Sequence, residues 1–502
     1  MANYGSFLWG DGTLWGASYG VFPAVAYGIL VDWDGDGLYD DGNESAYLLN
    51  WSCERGRDFY LNANGDGLEP VNPGKITLTL DNTSGRYDPF NTSSPLYPNI
   101  LPGKRIQLIV QDSSTLTNHT IFTGDIEDIR PFAKDKTVQI TAIDAMSKLK
   151  ALETTIALNT NIKISDAIEA VLDSISFTDY SIDSLLDVIA YWWVNSQKAD
   201  AAIQELCDAS FGTFFVAADG KAKYYTRSKA VSPVLSITQD MILKDIEVRQ
   251  PWDVVRNNID VIVNPLVLQA TSTLWTLRDI PSVAAGATIE IWGSFSYNNN
   301  SCPATNVIDP VATTDYLMNS VSGGGGTDLT ASFTVTVTIF GEAVKFVIKN
   351  NSASTGYINL LKIRGDALTA PDPVRINSVD STSAALYGNR TFRLESKWLQ
   401  NTNLGITLAE TIKGLLSSAR KYPIIQFESR PDVQYTADLF DRINLSIVAL
   451  GIDSAFRIGS IKHESGNTPQ TVVTTVALEP VVDVASVYWV FPTEIGVTSY
   501  LA

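Results

Sequence analysis

The chain has 502 residues, of which 45% are hydrophobic and 18% are charged. One hydrophobic core rarely extends beyond about 250–300 residues, so we expect two to four domains. The formal net charge is -19. Nucleic-acid binders need basic patches that displace counterions, so this composition argues against sequence-specific nucleic-acid binding.

The cysteines and the N-terminus also exclude several classes of protein. Cys53, Cys207 and Cys302 are far apart and form no CxxC motif, so neither a disulfide scaffold nor a zinc site is indicated. No basic segment opens the chain, so no secretory signal is predicted. The apolar run 21–31 is too short to span a bilayer. We expect a protein without a membrane span, made in a reducing cytoplasm.

Residues 1–24 form an aromatic segment in which Leu8-Trp9-Gly10 returns as Leu14-Trp15-Gly16. The spacing of six is even, so both tryptophans face the same way in an extended strand. We interpret residues 1–24 as an arm that docks on a neighbouring subunit, with an edge strand of the first domain as the alternative. Residues 485–502 are aromatic at their start and are interpreted as a second arm.

Residues 25–150 are predicted to form a first barrel-like β domain, because apolar residues alternate with polar ones. The clearest alternation runs through Ile76, Leu78 and Leu80. Residues 151–240 are predicted to form a small α/β domain. It has helices at 165–175 and 198–208 and a hairpin that turns at Asp219-Gly220.

A second barrel-like β domain is expected from residues 241–264 and 376–484. It includes a helix at 408–419, with Thr407 and Glu410 as a capping box. Residues 265–375 are read as an inserted β-sandwich with a hairpin of strands 333–339 and 344–348. The insert contains Trp275 and Trp292, which are either core residues or a surface for sugars. The predicted fold class is therefore mainly β with an α+β insert.

The strongest candidate site is the acidic run Asp32-Trp33-Asp34-Gly35-Asp36-Gly37-Leu38-Tyr39-Asp40. It matches the calcium-loop pattern D-x-D-x-D-G, and Ca²⁺ takes six to eight oxygen ligands. The predicted ligands are Asp32, Asp34, Asp36, the carbonyl of Leu38, and Asp40. Position 12 is Asn43 rather than a bidentate glutamate, and Glu44 is one place late. A metal-free, solvated acidic turn therefore remains the alternative to a structural calcium site.

No catalytic motif is found. The chain has two histidines, no G-x-S-x-G near a predicted strand–helix junction, no H-E-x-x-H and no Walker loop, so a nucleophilic triad or a nucleotide site is not indicated. Carboxylate pairs suited to glycoside hydrolysis occur by chance among 55 acidic residues. We therefore expect no enzyme, and a hydrolase stays a minor alternative.

Several motifs follow the acidic loop in a characteristic order. They are Arg55-Gly56-Arg57, the turn Asp81-Asn82-Thr83-Ser84-Gly85-Arg86-Tyr87-Asp88-Pro89, and Leu101-Pro102-Gly103-Lys104-Arg105. This order resembles the opening of tail hub proteins of long-tailed bacteriophages, also called minor tail, tail-tip or baseplate hub-like proteins. Further along, Tyr387-Gly388-Asn389-Arg390 and Tyr422-Pro423 are similar to the second barrel of that family.

The resemblance implies two barrel-like hub domains per chain and a homotrimeric ring at the distal tail tip of the virion. Such a ring adapts the sixfold tail tube to a threefold tip and anchors fibres or a spike. The implied partners are the tube-end or distal tail protein, the tape measure, and fibres or a spike. The implied roles are host attachment and genome ejection, after synthesis in the bacterial cytoplasm. The alternatives are a carbohydrate-binding or receptor-binding adhesin module and a tail-associated hydrolase.

Overall fold

The computed structural model describes residues 25–39, 42–57, 61, 68–112, 117–227, 229, 232–242, 246–428, 430–466, 468–469 and 471–481. The two predicted aromatic arms, residues 1–24 and 485–502, lie outside this part. Strands make up 49% and helices 16% of the structure, which confirms a mainly β protein. Within the described part, none of the helices combines the length and apolar character that a membrane crossing requires.

Six antiparallel strands form the first β region, in the order β1-β4-β5-β6-β3-β2. Alternation along β3 buries Ile76, Leu78 and Leu80 on one face, as the sequence predicts. The strands are β1 (Val25–Asp32), β2 (Leu48–Gly56), β3 (Asn72–Asp81), β4 (Arg105–Asp112), β5 (Asn118–Phe132) and β6 (Thr137–Ile143).

A small α/β region follows, and both predicted helices and the predicted hairpin are present, with slightly shifted ends. The apolar faces of α2 and α3 share one core that includes Ile168 and Leu206. The elements are α1 (Met146–Ala151), β7 (Glu153–Lys163), α2 (Ile164–Ser174), β8 (Tyr180–Ile182), β9 (Val188–Lys198), α3 (Ala199–Ser210), β10 (Thr213–Val216) and β11 (Ala222–Tyr225).

Three short strands lead into the insert: β12 (Leu235–Thr238), β13 (Glu247–Arg249) and β14 (Asn258–Val263). In the insert, β25 pairs with five other strands, while β18, β24 and β23 form a separate sheet that contains the predicted hairpin. Buried residues of both groups form one core. The strands are β15 (Val267–Leu268), β16 (Ser272–Thr276), β17 (Ser282–Val283), β18 (Thr288–Ser294), β19 (Ser296–Tyr297), β20 (Asn300–Ser301), β21 (Ala304–Ile308), β22 (Tyr316–Asn319), β23 (Phe333–Ile339), β24 (Ala343–Asn350) and β25 (Gly356–Thr369).

The last region divides between two sheets. β14 pairs with β26 and β27, and α5 covers this small sheet with its own core, whereas β28 to β31 belong to a larger sheet. The elements are β26 (Val374–Val379), α4 (Ser381–Tyr387), β27 (Thr391–Glu395), α5 (Thr402–Leu416), β28 (Tyr422–Glu428), α6 (Pro431–Gln434), β29 (Arg442–Ile447), β30 (Ile452–Ser465) and β31 (Val472–Pro480).

The first and last β regions join into one twelve-stranded sheet, because β2 pairs with β30. Gly56 makes this close approach possible. Its φ is +111°, and a Cβ there would lie 2.3 Å from the carbonyl oxygen of Gly459. Arg57, the next residue in the chain, donates two hydrogen bonds of 2.8 Å to the carboxylate of Glu479 on β31.

The two predicted barrels are not confirmed, because no sheet of the described strands closes on itself. The reason lies in β2, because one edge of this strand pairs with β3 and the other edge pairs with β30. Closure of the first barrel would require that second edge to pair with another strand of the first β region. The predicted division into domains stays a prediction. The hydrogen bonds between β2 and β30 place strands of the predicted first and second β domains in one sheet.

Candidate functional site

The acidic loop begins where β1 ends, and Asp32 organises it. Asp32 is 5% exposed, and its Oδ1 and Oδ2 accept hydrogen bonds from the backbone N–H groups of Gly35 (2.7 Å) and Gly37 (3.0 Å). Both glycines have left-handed backbones, with φ values of +86° and +91°, which residues with a Cβ adopt with strain. The sequence pattern therefore encodes a tight loop closed around one carboxylate.

Asp34 and Asp36 of the loop are exposed to solvent. Asp34 Oδ1 accepts from Asp36 N at 3.2 Å, and Asp36 Oδ1 accepts from Leu38 N at 2.8 Å. In the described part of the chain, Asp32, Asp34 and Asp36 each offer a carboxylate oxygen, and these oxygens lie within 4.8 Å of one another. Leu38 has an exposed side chain. The fifth predicted ligand, Asp40, lies outside the described residues.

Neither residue near loop position 12 serves as a bidentate ligand. Asn43 Oδ1 accepts hydrogen bonds from the backbone and hydroxyl of Ser45. Glu44 is fully buried, and its carboxylate accepts a hydrogen bond from Trp33 Nε1 within a polar network. Three carboxylates therefore converge as a calcium loop requires, but the bidentate glutamate that an EF-hand has at position 12 is missing. The calcium site stays a prediction.

Positive charge beside the loop supports the metal-free alternative. A Cβ built on Gly35 would lie 3.3 Å from Lys104 Nζ, so this ammonium group is close to the loop. Arg105 is the register partner of Asp32 on β4. These two cations partly offset the repulsion among the aspartates without a metal ion. Titration with calcium therefore distinguishes a metal ion from Lys104 and Arg105 as the charge that balances the aspartates.

Glu44 is the residue that the sequence reasoning missed. Its carboxylate accepts hydrogen bonds from Trp33 Nε1 (2.9 Å), from Arg86 Nε (2.9 Å) and Nη2 (2.8 Å), and from the hydroxyl of Tyr87. Burial, and then the nearby Glu44 carboxylate, raise the pKa of Tyr87. A buried carboxylate needs this many donors to offset its lost hydration.

The Glu44 network ties the acidic loop to the most characteristic turn of the sequence. Arg86 and Tyr87 belong to the Asp81-to-Pro89 motif, and the Arg86 guanidinium also lies 5.1 Å from the centre of the Tyr47 ring. The only signal in the sequence was a glutamate one place late for a calcium loop. Arg86 and Tyr87 are 42 and 43 residues away from Glu44 in the chain, so pattern reading could not pair them with it.

Cys53 and His463 are a candidate nucleophile and base, because they are register partners on β2 and β30. Burial raises the pKa of the Cys53 thiol to about 12. Burial, and then Arg55, lower the pKa of His463 to about 3. Catalysis by a thiolate needs the opposite shifts. This pair is therefore a neutral packing pair.

The tryptophans of the α/β region are structural. Trp192 is fully buried, and Trp193 lies edge-on to Trp398, with ring centres 5.1 Å apart. A Cβ on Gly341 would lie 2.2 Å from Trp193 Cδ1, so the turn between β23 and β24 rests directly on this indole. Only glycine leaves room for that contact. The insert is thereby packed against the α/β region.

No protein-family model matches the chain, and no curated protein matches it in sequence. Among solved structures, the tail protein from Neisseria meningitidis MC58 is similar, with a TM-score of 0.51 and 8% identity. The match covers 91% of this chain and 97% of that one.

Two other solved structures are also similar. The 43 kDa tail protein of prophage MuSo2 from Shewanella oneidensis has a TM-score of 0.47 and 9% identity, over 90% of this chain and 97% of that one. The prophage tail protein gp18 from Listeria monocytogenes EGD-e has a TM-score of 0.41 and 9% identity, over 90% and 94%. The Neisseria match shows that the chain has the fold of that tail protein over 91% of its length, and the resemblance seen in the sequence is confirmed at the level of the fold.

Proposed function

We propose that this chain is a structural protein of a phage-type tail, and that three copies form a hub at the distal end of the tail tube. In this role it adapts the sixfold tube to a threefold tip and anchors fibres or a spike. The observation that carries the proposal is the shared fold with a tail protein over 91% of this chain and 97% of the other. A match over nearly the full length of both chains concerns the whole architecture rather than one common module.

The joined sheet suits a part that transmits load. One twelve-stranded sheet runs through both β regions, and the ion pair of Arg57 with Glu479 lies buried beside the join, with side chains 3% and 9% exposed. Continuous backbone hydrogen bonds and buried charge-assisted bonds resist local opening. A hub under the tube needs such a rigid body.

One surface feature supports contact with a neighbouring copy. Tyr87 is fully buried against Glu44, while Phe90, three residues later, is 90% exposed. Successive turns hold this segment, with hydrogen bonds from Gly85 N to Asn82 O, from Asp88 N to Gly85 O and from Asn91 N to Asp88 O. A fixed, exposed phenylalanine is typical of the aromatic anchors at protein interfaces.

The remaining roles follow from the hub proposal. The partners would be the tube-end or distal tail protein, the tape measure, and fibres or a spike, and the location would be the distal tail tip. The net charge of -19 suits a wall along which DNA slides without binding. The chain would act without catalysis, and calcium, if bound by Asp32, Asp34 and Asp36, would only fix the loop.

The mass of the purified chain in solution, measured by light scattering after size-exclusion chromatography, tests the proposal. The expected mass is three times the 54.7 kDa of one chain. A chain that stays at 54.7 kDa at the highest soluble concentration contradicts the hub. The substitution Phe90→Asp should lower the trimer fraction, since it places a charge in the proposed interface. Lys134→Gln, on the exposed β5–β6 turn, lowers the net charge by the same one unit and controls for the change in charge.

A further inference from the structure

We propose that the solvent-facing side of the sheet β18-β24-β23 is a binding site for neutral carbohydrate, built around Trp292. This site is separate from the hub role, because it belongs to the insert and needs no second copy of the chain.

The two sides of this sheet differ in character. Ile289 and Ile291 of β18 pack against the core of the insert. Glu290 and Trp292 alternate with them and face solvent. Trp292 is 57% exposed. The fold buries the apolar residues of the inner side, so packing of the insert gives no reason for a tryptophan on the outer side.

Neighbouring side chains hold the Trp292 indole in place. The ring of Phe340 stacks beside it, with centres 5.3 Å apart and planes 23° from parallel. Lys345 is the register partner of Trp292 on β24, and its Nζ lies 5.8 Å from the centre of the indole ring. Phe340 backs the indole, and more than half of the side chain still meets solvent.

Hydrogen-bonding groups surround the indole. Lys345 Nζ forms an ion pair with Glu290 Oε1 at 2.8 Å, and these side chains are 27% and 55% exposed. Thr338 of β23 is the register partner of Lys345 on the far side and is exposed. An acceptor carboxylate, a donor ammonium and a hydroxyl that does both therefore lie on the same side of the sheet as the indole.

This set of groups matches a sugar ring better than a protein surface. A pyranose has an apolar C–H face, which packs on an indole, and a rim of hydroxyls, which both donate and accept hydrogen bonds. The core of a protein–protein interface is instead depleted in lysine and glutamate. Beside the indole, Glu290 and Lys345 neutralise each other, and the other lysine on this side of β24, Lys349, is the register partner of Thr288 at the far end of β18. We therefore assign a neutral glycan rather than an acidic one.

The probe is an array of neutral oligosaccharides of glucose, galactose, mannose and N-acetylhexosamines, tested with the full-length chain. We expect at least one member to bind with a dissociation constant of about 1 mM or lower. Trp292→Ala should weaken that binding by about tenfold or more, and Trp292→Phe should keep part of it because a ring remains. Glu290→Gln should weaken it less than Trp292→Ala.

The matched control is Trp252→Ala. Trp252 is 60% exposed and lies outside the insert against Arg390, whose Cζ is 3.9 Å from the ring centre. This variant should bind the glycan like the wild type. The proposal is overturned if no array member binds the wild type, or if Trp292→Ala binds as well as the wild type while both melt at the same temperature. It is also overturned if Trp292→Ala changes the mass in solution, because the face is then an interface between copies.

Discussion

Arg55 and Asp438, which are far apart in the chain, form an ion pair of 2.6 Å at the junction of three regions. Arg55 lies on β2, and its side chain is 4% exposed. Asp438 precedes β29, and its Oδ2 also accepts a hydrogen bond from Ala218 N, 3.0 Å away in the hairpin of the α/β region. One carboxylate thus connects the two β regions and the α/β region.

Removal of either partner of this pair should be costly. Arg55 Nε and Nη1 have no hydrogen-bond partner among the described residues, so Asp438→Asn leaves a buried guanidinium without its counter-charge. We expect each of Arg55→Gln and Asp438→Asn to lower the free energy of unfolding by about 3–5 kcal/mol. The double variant should lose less than the sum of the two. Urea denaturation of the four proteins measures the coupling.

The exposed pair Arg393 and Glu395 is the control for that cycle, since its side chains are 59% and 53% exposed. Its coupling should stay below about 1 kcal/mol. Equal coupling in the two pairs would mean that Arg55 and Asp438 do not secure the junction.

The Glu44 network gives a second prediction. Glu44→Gln keeps the shape of the side chain but removes the negative charge to which Arg86, Trp33 and Tyr87 donate hydrogen bonds. We expect it to lower the free energy of unfolding by about 3 kcal/mol or more. Glu464→Gln, in an exposed pair with Lys462, should change the free energy of unfolding by less than about 1 kcal/mol. Similar losses in both variants would show that Glu44 is not a structural centre.

The buried His463 gives a pH prediction. Its Nδ1 lies 2.8 Å from the Thr474 hydroxyl, and its pKa in the fold is lowered to about 3 from an ordinary 6.5. At pH values between these two pKa values, the unfolded chain binds more protons at this histidine than the folded chain does. The neutral His463 therefore contributes its full stabilisation above pH 6.5, and this contribution is lost as the pH falls. The melting temperature of His463→Gln should fall less steeply than that of the wild type across this range. Parallel curves would contradict a neutral, buried His463.

The acidic loop gives a metal prediction. If the loop holds calcium, added Ca²⁺ should raise the melting temperature of the wild type, and Asp34→Ala with Asp36→Ala should abolish that rise. The double control Asp219→Ala with Asp372→Ala removes two exposed carboxylates elsewhere and should keep the rise. A wild type that melts at the same temperature with calcium and with a chelator would favour compensation by Lys104 and Arg105.

Local patterns in the sequence predicted local structure well. Alternation located β3, and helical periodicity located α2 and α3, because both periods are set by which face is buried. The predicted start of the helix at residue 408 was wrong. α5 begins at Thr402, and Asn401 caps it through hydrogen bonds to the backbone of Asn403 and Leu404.

The proposed capping box shows why that start was missed. Thr407 lies inside α5, where its hydroxyl donates to Asn403 O at 3.1 Å, and Glu410 pairs with Lys413. The Thr–x–x–Glu spacing is the same in a cap and within a helix, so spacing alone could not separate them.

Long-range pairing could not be read from the sequence. Any strand with one apolar face can use either edge, so nothing in β2 says that its partner is β30, some four hundred residues later. The same holds for Glu44, which looked like a displaced metal ligand until the fold brought Arg86 to it. The candidate ligands Asp32, Asp34 and Asp36 were found because a loop of three carboxylates is a local pattern.

Electron microscopy of the purified full-length assembly tests the central claim most directly. The hub account predicts class averages of a ring with threefold symmetry and an open centre, built from three copies of the 54.7 kDa chain. Single compact particles of one chain, or a closed assembly without a central opening, would contradict it.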